Sequence, residues 1–187
     1  YRHQIADIIR VRRYVLSPEQ EKMLSMLADA AQTPDNSFTM LESVDMTFPA
    51  IKDENGREAQ LTHGNFGVYR ESADRRVRKE AFEKYFGEFK KYINTFAAMY
   101  GGSVKFDNYF AGVRGHESAL AAALYGDDVP EAVYDSLIDA VHEALPAMGR
   151  YIALRKKTLG LEELHMYDLY NPMVEDAGMK FTFEEAK

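Results

Sequence analysis

The chain has 187 residues, of which 46% are hydrophobic, so it is long enough for one large domain or two small ones with a real core. A net charge of -7 and a pI of about 5.3 create a field that repels phosphate backbones and anionic lipid, so neither nucleic acid nor membrane is an expected partner. The absence of cysteine rules out disulfides, thiolate metal sites and cysteine nucleophiles, no apolar run approaches the roughly 20 residues of a spanning helix, and Tyr1-Arg2-His3-Gln4 does not open a signal peptide, which makes the cytoplasm the expected location.

Taken in chain order, Ile5, Ile8, Ile9 and Val15 or Leu16 recur at steps of three and four, which predicts an amphipathic helix without a start signal. Ser17-Pro18-Glu19-Gln20 provides an N-cap serine, a proline at the first helical position and a glutamine three residues after the cap, so a second helix runs to about Gln32. Thr33-Pro34-Asp35 starts a short third helix with Phe38, Leu41, Val44 and Met40 as its candidate buried side. From Met46 the texture becomes extended. Asn55-Gly56 suits a tight turn, and a hairpin closes through Ala59 to Leu61, with Pro49 favouring an edge position for its first strand. Thr62 caps a short helix through Tyr69 that carries Phe66 inward.

The strongest pattern follows Ser72. Val77, Phe82, Tyr85, Phe86, Phe89, Tyr92, Ile93, Phe96 and Tyr100 keep one stripe apolar, predicting a long helix from Ala73 to about Gly112 with a bend at Gly101-Gly102 and an end at Gly115. A small-residue helix is expected from Glu117 to Tyr125. Beyond Pro130, the stripe Tyr134, Ile138, Val141, Leu145, Met148 and Ile152 predicts a core-facing helix, kinked at Pro146 and stopped at Gly160. Residues 164–172 mix aromatic and apolar side chains without a period, a composition that suits an interface, a cleft wall or ordinary core. Thr182 caps a first helical turn, Phe183 to Lys187. A helix without a start and a single turn at the other end suggest a piece of something longer, since one turn is not stable alone. The fold class expected is mainly α, with long packed antiparallel helices and one small β-hairpin.

Two His-Glu pairs invite a zinc-peptidase reading, because that chemistry uses H-E-x-x-H to place two imidazoles on one helix face with a glutamate as base. After two intervening residues His116-Glu117 is followed by Leu120, and His142-Glu143 by Pro146, so the second ligand is missing both times. His3, His63 and His165 stand isolated. Arg70, Arg75, Arg76, Arg78 and Lys79 form a basic cluster that could attract a peptide carboxylate, although a solvated helix start with pairs such as Arg76 to Glu80 is the expected role.

Several stretches carry a family likeness. Tyr14-Val15-Leu16-Ser17-Pro18-Glu19-Gln20-Glu21, the hairpin Phe48 to Gly56, Leu61-Thr62-His63-Gly64-Asn65-Phe66 and Asp74 to Phe82 resemble the N-terminal region of oligoendopeptidase F. Asn94-Thr95-Phe96-Ala97, Leu124-Tyr125-Gly126-Asp127-Asp128-Val129-Pro130, Arg150 to Lys156 and Tyr167-Asp168-Leu169-Tyr170 are similar to the text that follows it in that family. The resemblance implies a cytoplasmic zinc endopeptidase related to thimet oligopeptidase, largely helical, with two lobes around a deep channel for short unstructured peptides. Residues 1–72 would form the N-terminal-type region, and 73–187 a long-helix region leading into the peptidase domain.

The family's H-E-x-x-H and its distant glutamate ligand are expected beyond Lys187. No catalytic residue and no metal ligand are therefore carried over, and substrate-binding residues stay unknown. Zinc is expected in the parent protein and none in this segment, which would supply non-catalytic channel wall, made rigid by Phe82, Phe86, Phe89 and Ile93. Its partners would be an oligopeptide substrate and the missing catalytic lobe. The alternative is a free-standing helical module that binds peptides or a protein without enzymatic activity.

Overall fold

The computed structural model describes residues 1–174 and 182–187. The fold is mainly α with one two-stranded antiparallel hairpin, and the chain divides into two interleaved compact units, residues 1–46 with 92–144 and residues 47–91 with 145–187.

The first unit holds α1 (Arg2–Val11), α2 (Pro18–Ala31), α3 (Thr33–Met40), α6 (Ile93–Arg114), α7 (Ala119–Gly126) and residues 131–144 of α8 (Glu131–Thr158). Its boundaries follow local chemistry. Ser17 accepts from the Gln20 N–H while the Gln20 side chain returns the bond, a complete capping box behind Pro18. Gly115 leaves α6 at φ +81, a conformation a side chain resists, and the His116 N–H then bonds back to the Ala111 carbonyl at 2.9 Å. Pro34 lies against Gly102, where an added Cβ would stand 3.1 Å from its ring; α3 and α6 meet again at Phe38 and Phe96, centroids 5.6 Å apart.

Three expectations for the helices are corrected. The long helix does not run unbroken to Gly112: α5 (Arg75–Lys91) ends before Tyr92, whose φ -107 and ψ 11 leave the helical range, and α6 begins beyond it. Gly101 and Gly102 both lie inside α6, where the missing side chain of Gly102 makes room for Pro34. The third helix runs on into a π-helical turn, Leu41–Asp45, and leaves Phe38, Met40 and Val44 exposed. Finally, the apolar stripe of α8 faces outward. Leu145 is 55% and Met148 57% exposed, Tyr134, Ile138 and Val141 are exposed as well, and so is every other residue from 131 to 151, Leu137 at 64% among them. Periodicity identifies a face that needs a partner; it does not say which residues supply one.

The second unit holds β1 (Ala50–Lys52), β2 (Glu58–Gln60), α4 (His63–Glu71), α5 and residues 145–158 of α8. Ile51 pairs with Ala59 across the hairpin. Its turn is made by Asp53, whose Oδ1 accepts from the N–H groups of Asn55 and Arg57, both at 2.8 Å, and by Gly56 at φ +77. Thr62 and Asn65 form the capping box of α4. The core sits here: Phe48, Ile51, Leu61, Phe66, Val77 and Ala81 are buried, each large side chain worth about 1.5–3 kcal/mol of transfer. Tyr85 stacks on Phe48 at 4.6 Å and on Phe66 at 3.9 Å. Lys84 ties α5 to the hairpin by donating to the Ala50 carbonyl at 2.6 Å. Phe86, expected inside, is 41% exposed because α5 turns Val77, Ala81 and Glu88 to the core instead; Phe82 and Phe89 are half-buried. Ile93, on α6 of the other unit, is exposed. Thr182, as expected, caps α9 (Phe183–Ala186) by accepting from the Glu185 N–H.

Candidate functional site

The densest polar constellation lies in the second unit and is centred on Asp168. Residues 166–168 form one 3₁₀ turn that Asp168 caps itself, its N–H donating to the His165 carbonyl at 2.9 Å while its Oδ2 accepts from the His165 N–H at 3.0 Å. The carboxylate is fully buried. From α5, Arg75 grips it with two bonds, Nε to Oδ1 at 3.0 Å and Nη2 to Oδ2 at 2.9 Å, and Arg78 adds Nη2 to Oδ1 at 2.9 Å. The other Arg78 donors bond the carbonyls of Tyr167 at 3.0 Å, Ser72 at 2.8 Å and Ala73 at 3.0 Å. From α8, buried Arg155 donates to the Asp168 carbonyl at 2.7 Å, to Asn171 Oδ1 at 3.2 Å and to the Asn171 carbonyl.

Burial pushes the Asp168 carboxyl up, but the donors of Arg75, the His165 N–H and Arg78 outweigh it and hold the group down at about 2. The same contact raises Arg75 further above its ordinary value. Both carboxylate oxygens are occupied by fixed donors, so Asp168 is poorly suited to accept a proton as a base. The node pins an aperiodic segment to two helices. The half-exposed Arg75 also borders an open cavity of about 430 Å³, lined by Arg75, Arg76, Lys79, Glu80, Glu83 and Tyr167.

These contacts revise the reading of the basic cluster. The Arg76 to Glu80 pair exists, at 3.4 Å, and Arg75, Arg76 and Lys79 are exposed as a solvated helix start requires, but Arg78 is buried. The segment 164–172 divides between the two roles expected of it: Tyr167, Asp168 and Asn171 are core, while Met166 and Tyr170 are exposed. Asp168, Arg78 and Arg155 went unremarked as a set, although a signal was available. Arg78 stands on the stripe with Ala81, Phe82 and Tyr85, and Arg155 extends the stripe Met148, Ile152. A charge on an apolar helix face implies a buried counter-charge.

The histidines do not converge. His116 stacks on Tyr14 with centroids 3.7 Å apart, and Tyr125 closes edge-on at 5.5 Å. Burial, with Arg114 and Arg13 nearby, lowers its pKa. Beside it, Arg114 holds Glu21 through bonds of 2.8 and 2.9 Å. His63 bonds Tyr85 Oη at 2.8 Å, His3 pairs with Asp7 at 2.7 Å, and His142 lies on an exposed stretch of α8. Among the described residues no three His, Asp or Glu side chains are grouped to hold a metal ion.

The comparisons decide the family. The family model described as Peptidase family M3 matches residues 68–187, and the one described as Oligopeptidase F matches residues 1–48. The chain belongs to peptidase family M3. Oligopeptidase PepF of Bacillus subtilis is 48% identical over 187 residues, all of this M3 chain but 28% of the relative's length. The crystal structure of oligoendopeptidase-F from Enterococcus faecium matches with a TM-score of 0.91 at 42% identity, over 96% of this chain and 34% of that one. A putative peptidase from Chlamydophila abortus gives 0.92 at 28% identity, over 100% and 31%. The M3 chain thus spans about a third or less of the length of these relatives.

Proposed function

We infer that these residues are a non-catalytic segment of a zinc-dependent oligoendopeptidase that hydrolyses short unstructured peptides, and that they contribute wall to its substrate channel. The observation that carries this reading is the outward apolar face of α8, in an M3 chain that spans 28% of its Bacillus relative. Val133, Leu137 and Val141 recur every four residues and stand in the open, and a stripe of that kind calls for cover. The cover would be the remaining polypeptide, which would also bring the zinc ligands. The Asp168 node fits wall rather than chemistry, since its donors and acceptors are engaged with one another. We place the parent enzyme in the cytoplasm, a location that suits a cysteine-free chain, and no helix among the described residues is long and apolar enough to cross a membrane.

Leu137→Asp tests the reading. In residues 1–187 alone the thermal midpoint should hold, because Leu137 is already exposed. In a full-length M3 polypeptide carrying these residues, the same change should cost about 3 kcal/mol or more and depress peptide hydrolysis. Equal midpoints in both contexts would defeat the assignment.

A further inference from the structure

Arg70 closes the last turn of α4, and its guanidinium carbon stands over the Tyr170 ring, 3.6 Å from the centroid, with Phe66 at 5.6 Å. It differs from its neighbours. Arg75, Arg78 and Arg155 are bonded to Asp168, Asn171 and backbone carbonyls, whereas the buried Arg70 Nε has no hydrogen-bond partner and no described carboxylate forms an ion pair with the side chain. Stacking, rather than hydrogen bonding, fixes this guanidinium. Tyr170 is half-exposed and Arg70 partly so, which puts the stacked pair at the surface of the unit.

We propose that Arg70, held on Tyr170 beside the buried node, is a receptor for a carboxylate. A planar fork of donors with no ion-pair partner among the described residues matches a planar anion with two acceptor oxygens. Pre-orientation on the ring lowers the ordering cost of binding. Three arginines bond Asp168, Arg75 and Arg78 at its carboxylate and Arg155 at its carbonyl, so the node itself holds three cations to one carboxylate. Resting on the M3 reading above, the carboxylate comes from one of two sources, the C-terminus of a bound oligopeptide or an acidic side chain of the longer polypeptide.

The test uses a full-length M3 polypeptide carrying these residues, with Arg70→Gln and Arg70→Lys variants. Each is assayed on one quenched fluorescent oligopeptide prepared as the free acid and as the C-terminal amide, and each is melted in low and 1 M salt. If the peptide supplies the carboxylate, Arg70→Gln raises KM for the free acid about tenfold and leaves the amide and kcat unchanged, with Arg70→Lys between. If the polypeptide supplies it, both peptides respond alike and the variant's Tm deficit in low salt disappears at 1 M salt. A Tm deficit that persists in high salt with no difference between the peptides reduces Arg70 to packing and overturns the proposal, as do unchanged KM values with an unchanged Tm. If the unsubstituted enzyme cuts neither peptide, the functional reading fails separately, and the salt-dependent melt alone decides on Arg70.

Discussion

Asp168→Asn keeps the volume at the centre of the node and removes its charge. In the native chain this carboxylate accepts four hydrogen bonds, three from Arg75 and Arg78 and one from the His165 N–H, all between 2.9 and 3.0 Å. The amide can accept at one oxygen only, and its NH₂ points donors at donors. It also strands Arg78, a buried cation whose remaining contacts are carbonyls. Removing one partner of a buried ion pair costs about 3–5 kcal/mol, and a chain of this size loses about 2–4 °C of Tm per kcal/mol, so the midpoint should fall by roughly 6–20 °C at pH 7. The sign with pH follows from the depressed folded-state pKa: the stabilisation is present above the ordinary carboxylate range and is lost as pH falls toward about 2. Thermal melts by circular dichroism from pH 7 to pH 2 should therefore show the gap between native and variant chains closing below about pH 4. A midpoint within about 2 °C of the native one at pH 7, or a gap independent of pH, would refute this account of the node.

Phe66→Ala, at a ring 8% exposed and stacked on Tyr85, should cost about 3–5 kcal/mol, whereas Phe86→Ala, at 41% exposure, should cost less than half as much; urea unfolding of both separates them. Gly115→Ala forces a side chain into φ +81 and should destabilise by about 1 kcal/mol, while Gly101→Ala, helical with open space at its Cβ, should stabilise by about 0.5–1 kcal/mol in the same assay. Bonds from Arg114 and the Leu16 N–H hold Glu21 down at about 2, so Arg114→Gln should return its titration toward the ordinary range, and a pH titration followed by NMR of the carboxyl carbon checks it.

What was legible in the sequence was mostly local. Ser17, Thr62, Thr182, Gly56 and Gly115 act within a few residues of themselves, through caps and turns whose chemistry is complete in a short window. The outward stripe of α8 and the exposure of Phe86 depend on what lies opposite, which periodicity does not encode. The break at Tyr92 carries no glycine or proline, so nothing in its neighbourhood announces it, whereas Gly101-Gly102 lies inside α6, where Gly102 makes room for Pro34. Asp168 escaped notice because its partners lie about 90 residues away, although the charges on two apolar stripes pointed to a buried pair. The family likeness lay outside this logic and rested on matching text along the chain.

We propose that these residues serve a peptidase without performing its chemistry. Purified residues 1–187 should be incubated with zinc and a quenched fluorescent oligopeptide, beside a full-length M3 polypeptide that contains them. The account predicts no cleavage by the first and cleavage abolished by a chelator for the second. Chelator-sensitive cleavage by residues 1–187 alone would contradict it.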